Sequence, residues 1–281
     1  MDVLPFLQEK YGEVRDLKPL SGGFWSKAFG FRTGDQDLVL RVGEMVEGFR
    51  ADERAMAYRP GLPVPRVLEI AEGLGSWYAI SERHYGSFLG EVRPEQSDVA
   101  GPMLKRLLGA LRAVPQEPTG TWHSSLVWQL GDHPERPTYG WRAGLGKHED
   151  LFVAVEARIL ELLPACPDRG DLVHADLLHQ NVLVKDDATD VTAIFSWKCS
   201  QRGDWLYDVA WCTFWSPWYP GIAAIDLSDL WADEEDGALR HHCYELHIGA
   251  CHMGWYVWND MPDELARVAA ELRKRLDQPA R

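Results

Sequence analysis

The sequence predicts an α+β protein of two lobes, a small lobe built on an antiparallel sheet and a larger, mainly helical lobe. Up to residue 83 the chain consists of short β-prone runs separated by turn signals, with a single helical segment among them. Beyond residue 83 the segments become longer and amphipathic, with the period expected of helices. We therefore expect two domains, residues 1–83 and residues 84–281.

Five segments of the small lobe have the composition of strands. They are Val14 to Leu20, Ser26 to Arg32, Leu38 to Val42, Arg66 to Ala71 and Trp77 to Ser81. A helical segment, Gly48 to Arg59, lies between the third and the fourth and ends before Pro60, because proline cannot continue the hydrogen-bond ladder of a helix. The small lobe is therefore predicted to be a five-stranded sheet with one helix.

The large lobe is predicted to contain long helices and one pair of strands. The helical segments are Val99 to Val114, Leu151 to Leu163, Leu239 to Trp258 and Pro262 to Leu276. The strand pair is Val182 to Lys185 with Val191 to Phe195. A polar loop at residues 174–181 precedes this pair, where a short turn between strands can direct its side chains inward.

Composition limits the functional classes. The 281 residues include 43 acidic and 29 basic side chains, a formal net charge of −14, which disfavours nucleic acid and favours a cationic small-molecule partner. The five cysteines are odd in number and form no Cys-x-x-Cys pair, which fits a reducing compartment. No targeting or membrane-spanning segment is visible, so a cytoplasmic protein is expected.

The loop His174-Ala175-Asp176-Leu177-Leu178-His179-Gln180-Asn181 carries the strongest chemical signal. Its acid and its amide are five positions apart between apolar flanks, so that a short turn can direct both inward. Asp176 is suited to accept the proton of a substrate hydroxyl, and Asn181 offers a neutral oxygen to Mg²⁺. This arrangement indicates phosphoryl transfer.

Two features of the small lobe fit a phosphate site. Ser21-Gly22-Gly23, between the first two strands, allows close approach of backbone N–H groups to a phosphate, although an ordinary hairpin turn has the same composition. Arg41 lies in an otherwise apolar strand, where an unpaired charge would be costly. A phosphate and an acidic residue of the following helix, Asp52 or Glu53, are its candidate partners.

These motifs together resemble the aminoglycoside phosphotransferase family, which has a protein-kinase-like fold. The resemblance extends from about Leu17 to Trp258. It implies that Asp176 is the catalytic aspartate, that Asn181 is a magnesium ligand, and that ATP and Mg²⁺ are the cofactors. It also implies that the backbone of Ser81-Glu82-Arg83 pairs with adenine. Trp215 and Trp218 are implied to lie near the substrate, an aminoglycoside for which hygromycin B is the expected example, with antibiotic resistance as the consequence.

One residue departs from the family pattern. Family members have an aspartate before the tryptophan that is Trp197 here, and this chain has Ser196. Because hard cations prefer carboxylate oxygens, the metal site is expected to be weakened. A loss of about 3 kcal/mol of transition-state stabilisation would slow the reaction roughly a hundredfold.

Several alternatives remain open at this point. Asp204 can be a substrate residue, a displaced metal ligand or a helix cap that only braces the fold. The chain can also be a kinase of another amino sugar or amino alcohol, or an inactive pseudo-kinase that only binds ligand. The sequence does not decide the nucleotide, the acceptor hydroxyl or the oligomeric state.

Overall fold

A computed structural model describes residues 2–21 and 25–278. The chain forms two compact units, the first of residues 1–113 with 176–200 and the second of residues 114–175 with 201–281. These units differ from the lobes expected to meet at residue 83. That boundary stays a prediction.

The first unit contains a five-stranded antiparallel sheet with the order β1-β2-β3-β5-β4. Its strands are β1 Arg15–Leu20, β2 Lys27–Thr33, β3 Gln36–Gly43, β4 Val67–Gly73 and β5 Ser76–Glu82. The five strands expected from the sequence are confirmed, with ends that move by one to two residues. Helix α2, Val46–Ala55, lies between β3 and β4, as expected, and continues as a 3₁₀ turn over Met56–Tyr58.

A further helix, α1 at Leu4–Tyr11, was not predicted. It begins with Pro5 in its first turn, and the backbone N–H of Leu4 donates to the carboxylate of Asp2. Its Leu7 is fully buried in a cluster with Phe31 and Leu40 of the sheet. Only eight residues long, α1 depends on this packing, because a helix of that length is not stable by itself.

The alternation of β3 separates the two faces of the sheet. Leu38, Leu40 and Val42 belong to the apolar cluster that includes α1. The intervening Val39 and Arg41 line a cavity instead. Since side chains of a strand alternate between faces, the strand buries one row in the core and presents the other to a possible ligand.

The first unit also includes a helix and a second sheet. Helix α3 spans Ser97–Arg112. The second sheet has the order β6-β8-β9, with β6 at Ser87–Phe88, β8 at Val182–Val184 and β9 at Val191–Ile194. The strand pair expected after the polar loop is therefore confirmed as the β8–β9 hairpin.

The second unit is mainly helical. Its helices are α4 Trp122–Leu130, α5 Glu149–Leu162, α6 Leu206–Trp215, α7 Pro220–Ala223, α8 Asp229–Ala232, α9 Gly237–Trp258 and α10 Pro262–Leu276. Two short strands, β7 at Asp171–Val173 and β10 at Gln201–Gly203, pair antiparallel. Helix α9 is buried along most of its length and packs against α5, α6 and α10. Within the described residues, no helix is both long enough and apolar enough to cross a membrane.

Candidate active site

A cavity of about 300 Å³ lies within the first unit. Its apolar wall includes Val39, Leu183 and Ile194, and its polar wall includes Arg41 and Asn181. Ser21, Asp52, Ser81, Glu82, Arg83 and Ser196 also line it. A mostly apolar pocket with a few convergent polar groups is the usual form of a small-molecule site.

An ion pair joins β3 to α2 at this cavity. Arg41 Nη2 lies 2.6 Å from Asp52 Oδ2, and the two side chains are 18% and 6% exposed. Of the two acids considered as partners, Asp52 is the one that pairs, while Glu53 is exposed. The ion pair holds the guanidinium on the cavity wall, which Asp52 also lines, and a guanidinium held in this way is suited to binding a phosphate.

Asp52 also holds the turn that follows Ser196. Its Oδ1 accepts a hydrogen bond from the backbone N–H of Trp197 at 2.9 Å. The indole of Trp197 is buried and packs against Tyr58, with ring centroids 5.5 Å apart. One buried carboxylate thus links the strand cation to the segment where the family's metal ligand is expected.

Ser81-Glu82-Arg83 is called the hinge here, and the side chains of Glu82 and Arg83 make contacts within the protein. Glu82 accepts hydrogen bonds from Arg59 Nη1 at 3.0 Å and from the backbone N–H of Arg66 at 3.1 Å. The guanidinium of Arg83 lies over the ring of Tyr85 and 3.5 Å from Asp37. Recognition of a base at the hinge would therefore depend on backbone groups.

Two hinge amides are already used within the sheet. The N–H of Glu82 donates to the carbonyl of Arg66, and that of Arg83 donates to the carbonyl of Asp37. The hinge carbonyls and the N–H of His84, which also lines the cavity, are then the candidates for pairing with a base. Ser21 lies on the cavity wall, whereas Gly22 and Gly23 of the same predicted loop lie outside the described residues.

The loop with Asp176 folds back on itself. Asn181 Nδ2 donates to the backbone carbonyl of Asp176 at 2.8 Å, so its Oδ1 is the atom that could bind a metal. His179 Nδ1 lies 2.7 Å from Asp176 Oδ1. Gln180, between His179 and Asn181, has a positive φ of 62°. This left-handed residue reverses the chain, and the side chains of His179 and Asn181 both contact Asp176.

The two residues before Asp176 are held within the second unit. The backbone N–H groups of His174 and Ala175 each donate to the carboxylate of Asp208 at 2.8 Å. Ala175 has a positive φ of 60°, and His174 is completely buried. The two hydrogen bonds to Asp208 therefore stabilise the left-handed backbone at Ala175, where the loop begins, and His174 packs in the interior.

The position of Ser196 has a defined geometry. Its φ is 67° and its ψ is 51°, the left-handed conformation that Asn and Asp adopt more readily than Ser. Ser196 and Asn181 both line the cavity, but each offers only a neutral oxygen. The carboxylates among the described lining residues are Asp52 and Glu82, and both are paired with arginines. The donor set fits Mg²⁺ only in part, because this ion prefers at least one carboxylate.

Asp204 braces the second unit in this structure, which is one of the three roles considered for it. It is completely buried, and its two oxygens accept hydrogen bonds from Arg240 Nε and Nη2, both at 2.8 Å. The hydroxyl of Tyr244 donates to the same carboxylate at 2.8 Å. No surface of Asp204 is left for a ligand in this arrangement.

The two tryptophans assigned to the substrate differ in exposure. Trp215 is 2% exposed and packs against Phe214 and His252, so it belongs to the core of the second unit. Trp218 is partly exposed and lies under the guanidinium of Arg267. Trp218 remains a candidate for substrate contact, and Trp215 supports it from behind.

A comparison with known protein families identifies the family of this chain. The model of the phosphotransferase enzyme family matches residues 16–242, which is most of the chain. This chain belongs to the phosphotransferase enzyme family. The resemblance inferred from the sequence is thereby confirmed.

Relatives of this phosphotransferase include a hygromycin B kinase and structures of an aminoglycoside phosphotransferase. Hygromycin-B 4-O-kinase of Escherichia coli is 30% identical over 269 residues, which cover 87% of this chain and 75% of that enzyme. A thermostable mutant of aminoglycoside phosphotransferase APH(4)-Ia, solved with AMP-PNP and hygromycin B, has a TM-score of 0.86 at 26% identity and 98% coverage of both chains. Another such mutant, solved with ADP and hygromycin B, has a TM-score of 0.87 at 26% identity, again with 98% of both chains covered. The mixed fold of this phosphotransferase matches these structures.

Two contacts of this phosphotransferase were not predicted from the sequence. The hydrogen bond from Trp197 N–H to Asp52 depends on residues 145 positions apart, which no local pattern shows. The contact between His179 and Asp176 spans only three residues, and the loop sequence contains both. A histidine three positions after the candidate base was the signal that could have revealed it.

Proposed function

We propose that this protein transfers the γ-phosphate of ATP to a hydroxyl group of an aminoglycoside, with hygromycin B as the acceptor to test first. The arrangement of Asp176 and Asn181 on one loop, with Arg41 on the wall of an adjacent cavity in the same unit, is the observation that carries the proposal. The family match and the hygromycin kinase among the relatives support the acceptor class. The net charge of −14 favours a polycationic substrate.

Each residue has a role in this proposal. Asp176 accepts the hydrogen bond of the acceptor hydroxyl and takes its proton as the oxygen attacks phosphorus. Arg41, held by Asp52, binds phosphate oxygens, and the apolar walls with the hinge backbone bind the base. Asn181 Oδ1 and Ser196 Oγ would hold Mg²⁺, which neutralises phosphate charge, with further ligands from the phosphates and water.

Ser196 limits the expected rate. A hydroxyl in place of a carboxylate removes one full charge from the metal site, and we infer turnover that is impaired but not absent. A binding-only protein is the second candidate, and Ser196 is the observation that favours it. In that case nucleotide and aminoglycoside bind without release of ADP.

The test is ADP release by the purified protein with Mg²⁺-ATP and hygromycin B, run beside Ser196→Asp and Ser196→Asn. Both replacements suit the left-handed backbone, but only aspartate restores the charge. We expect slow turnover by the unmodified protein and by the Asn variant, and an increase of roughly a hundredfold in the Asp variant. Equal, fast turnover by all three would contradict impairment. Binding without turnover in all three would favour the binding-only protein. ADP release with another aminoglycoside, but not with hygromycin B, would change the acceptor.

A further inference from the structure

The imidazole of His179 lies directly against the candidate catalytic carboxylate. His179 Nδ1 is 2.7 Å from Asp176 Oδ1, and the side chains are 33% and 21% exposed. A carboxylate near neutral pH only accepts hydrogen bonds, so the nitrogen that faces it carries the proton. The contact therefore sets both the tautomer of His179 and the plane of the Asp176 carboxylate.

The backbone of the loop helps to hold His179 and Asp176 in this contact. The N–H of Gln180 donates to the carbonyl of Leu178 at 2.9 Å, and Gln180 is left-handed, so the chain reverses immediately after His179. Asn181 holds the backbone carbonyl of Asp176 from the other side of this turn. These two contacts hold the main-chain carbonyl and one carboxylate oxygen of Asp176, which restricts rotation of the carboxylate.

We propose that His179 is a positioning residue for the proposed phosphoryl transfer, on which this inference rests. Its Nδ1–H holds Oδ1 of Asp176 so that Oδ2 is directed at the acceptor hydroxyl. As the hydroxyl oxygen forms its bond to the γ-phosphorus, the bond from phosphorus to the β-bridging oxygen breaks, ADP leaves, and the hydroxyl proton passes to Oδ2. Holding the reactive groups in the correct orientation lowers the activation barrier and so raises the rate.

Three replacements of His179 separate this role from general packing. His179→Leu retains an apolar body and removes the donor. His179→Asn places an amide N–H near the position of Nδ1, and His179→Gln places it near Nε2. His148→Leu, at a partly buried histidine that ends the 3₁₀ turn Gly146–His148, is the control.

We expect kcat to fall roughly 10- to 100-fold in the Leu and Gln variants, the usual effect of losing a hydrogen bond to a charged group. The Asn variant recovers most of this loss. The KM for ATP and the Tm stay unchanged, which separates positioning from loss of fold. The series is measured in the unmodified protein and in the Ser196→Asp background, where turnover is easier to measure.

The outcomes are distinct. If the parent proteins turn over and the Leu, Gln and control variants match them, the inference is overturned while the proposed function stands. If neither parent turns over with any aminoglycoside, the proposed function fails and this inference fails with it. ¹⁵N spectra of the imidazole give a readout without turnover: a proton on Nδ1 supports the contact, and a neutral His179 with bare Nδ1 overturns it.

Discussion

Asp52 on helix α2 and Trp197 in the turn after Ser196 are joined by a hydrogen bond of 2.9 Å from the Trp197 backbone to the Asp52 carboxylate. The other oxygen of Asp52 lies 2.6 Å from Arg41. The candidate phosphate-binding cation and the candidate metal segment are therefore positioned by the same buried group, and the fold of the first unit and its site depend on it together.

Replacing Asp52 with alanine is expected to lower the free energy of unfolding by about 2–4 kcal/mol, because it leaves a largely buried guanidinium unpaired and an N–H group without its acceptor. Asp52→Asn is expected to lose less, since it retains an oxygen for Trp197. Denaturant unfolding measures both. Glu47→Ala on the same helix is the control, because Glu47 pairs with Arg54 at an exposed site, and it should cost less than about 1 kcal/mol. Similar losses at both positions would contradict this account.

Gly86, which follows the hinge, is expected to tolerate no side chain. It has φ of 145°, and a Cβ there would lie 2.1 Å from the carbonyl oxygen of Val184 in β8. Gly86→Ala should cost more than about 3 kcal/mol or prevent folding. Gly75 also has a positive φ, 74°, but has no atom within 4 Å of its Cβ position, so Gly75→Ala should cost only about 1 kcal/mol. Equal thermal stability of the two variants would show that the close approach is relieved.

The five-stranded sheet, the β8–β9 hairpin and the long helices followed from the sequence because their periodicity is local. The eight-residue α1 did not, because only its contact with the sheet stabilises it. The sequence could have favoured Asp52 over Glu53 as the partner of Arg41. Asp52 lies three residues after the apolar Phe49, and residues at this spacing share a face of a helix, here the buried face of α2. The sequence left the role of Asp204 open, because its partner Arg240 is 36 residues away and leaves no local signal. An acid near a motif can as easily be a buried brace as a ligand.

Asp176→Asn is expected to reduce kcat by more than about 100-fold, because the amide cannot take the proton of the acceptor hydroxyl. Nucleotide affinity should stay within about twofold, since the cavity wall is unchanged by this isosteric replacement. ADP release and nucleotide titration measure the two quantities. Asp187→Asn, at an exposed carboxylate after β8, is the control. Substantial turnover by the Asp176 variant would remove this residue from the role of base.

The buried histidine His247 is expected to make stability depend on pH. Burial lowers its pKa to about 4, and the neutral ring accepts from the Tyr207 hydroxyl and donates to the carbonyl of Leu126. The unfolded chain binds a proton below a pH of about 6.5, whereas the folded chain does not, so this stabilisation is complete above pH 6.5 and is lost as the pH falls toward 4. Between pH 6.5 and 5 the loss is about 2 kcal/mol.

His247→Gln tests this origin of the pH dependence. Glutamine retains an N–H donor for Leu126 but does not titrate, so the variant should be less stable at pH 7 and lose about 2 kcal/mol less than the parent between pH 6.5 and 5. Urea unfolding across this range measures the slope for both proteins. Parallel curves would assign the acid sensitivity to other groups.

Ser196→Asp and Ser196→Asn are expected to leave the free energy of unfolding within about 0.5 kcal/mol of the parent, because the left-handed backbone at this position accepts both residues and Asp52 holds the following turn. Only aspartate adds a carboxylate beside Asn181, so only this variant should bind Mn²⁺ at least about tenfold more tightly in the presence of nucleotide. Electron paramagnetic resonance of free Mn²⁺ measures the affinity without requiring turnover. An equal gain from asparagine would mean that backbone geometry, and not charge, limits the metal site. No gain from either would mean that position 196 does not face the metal in this chain.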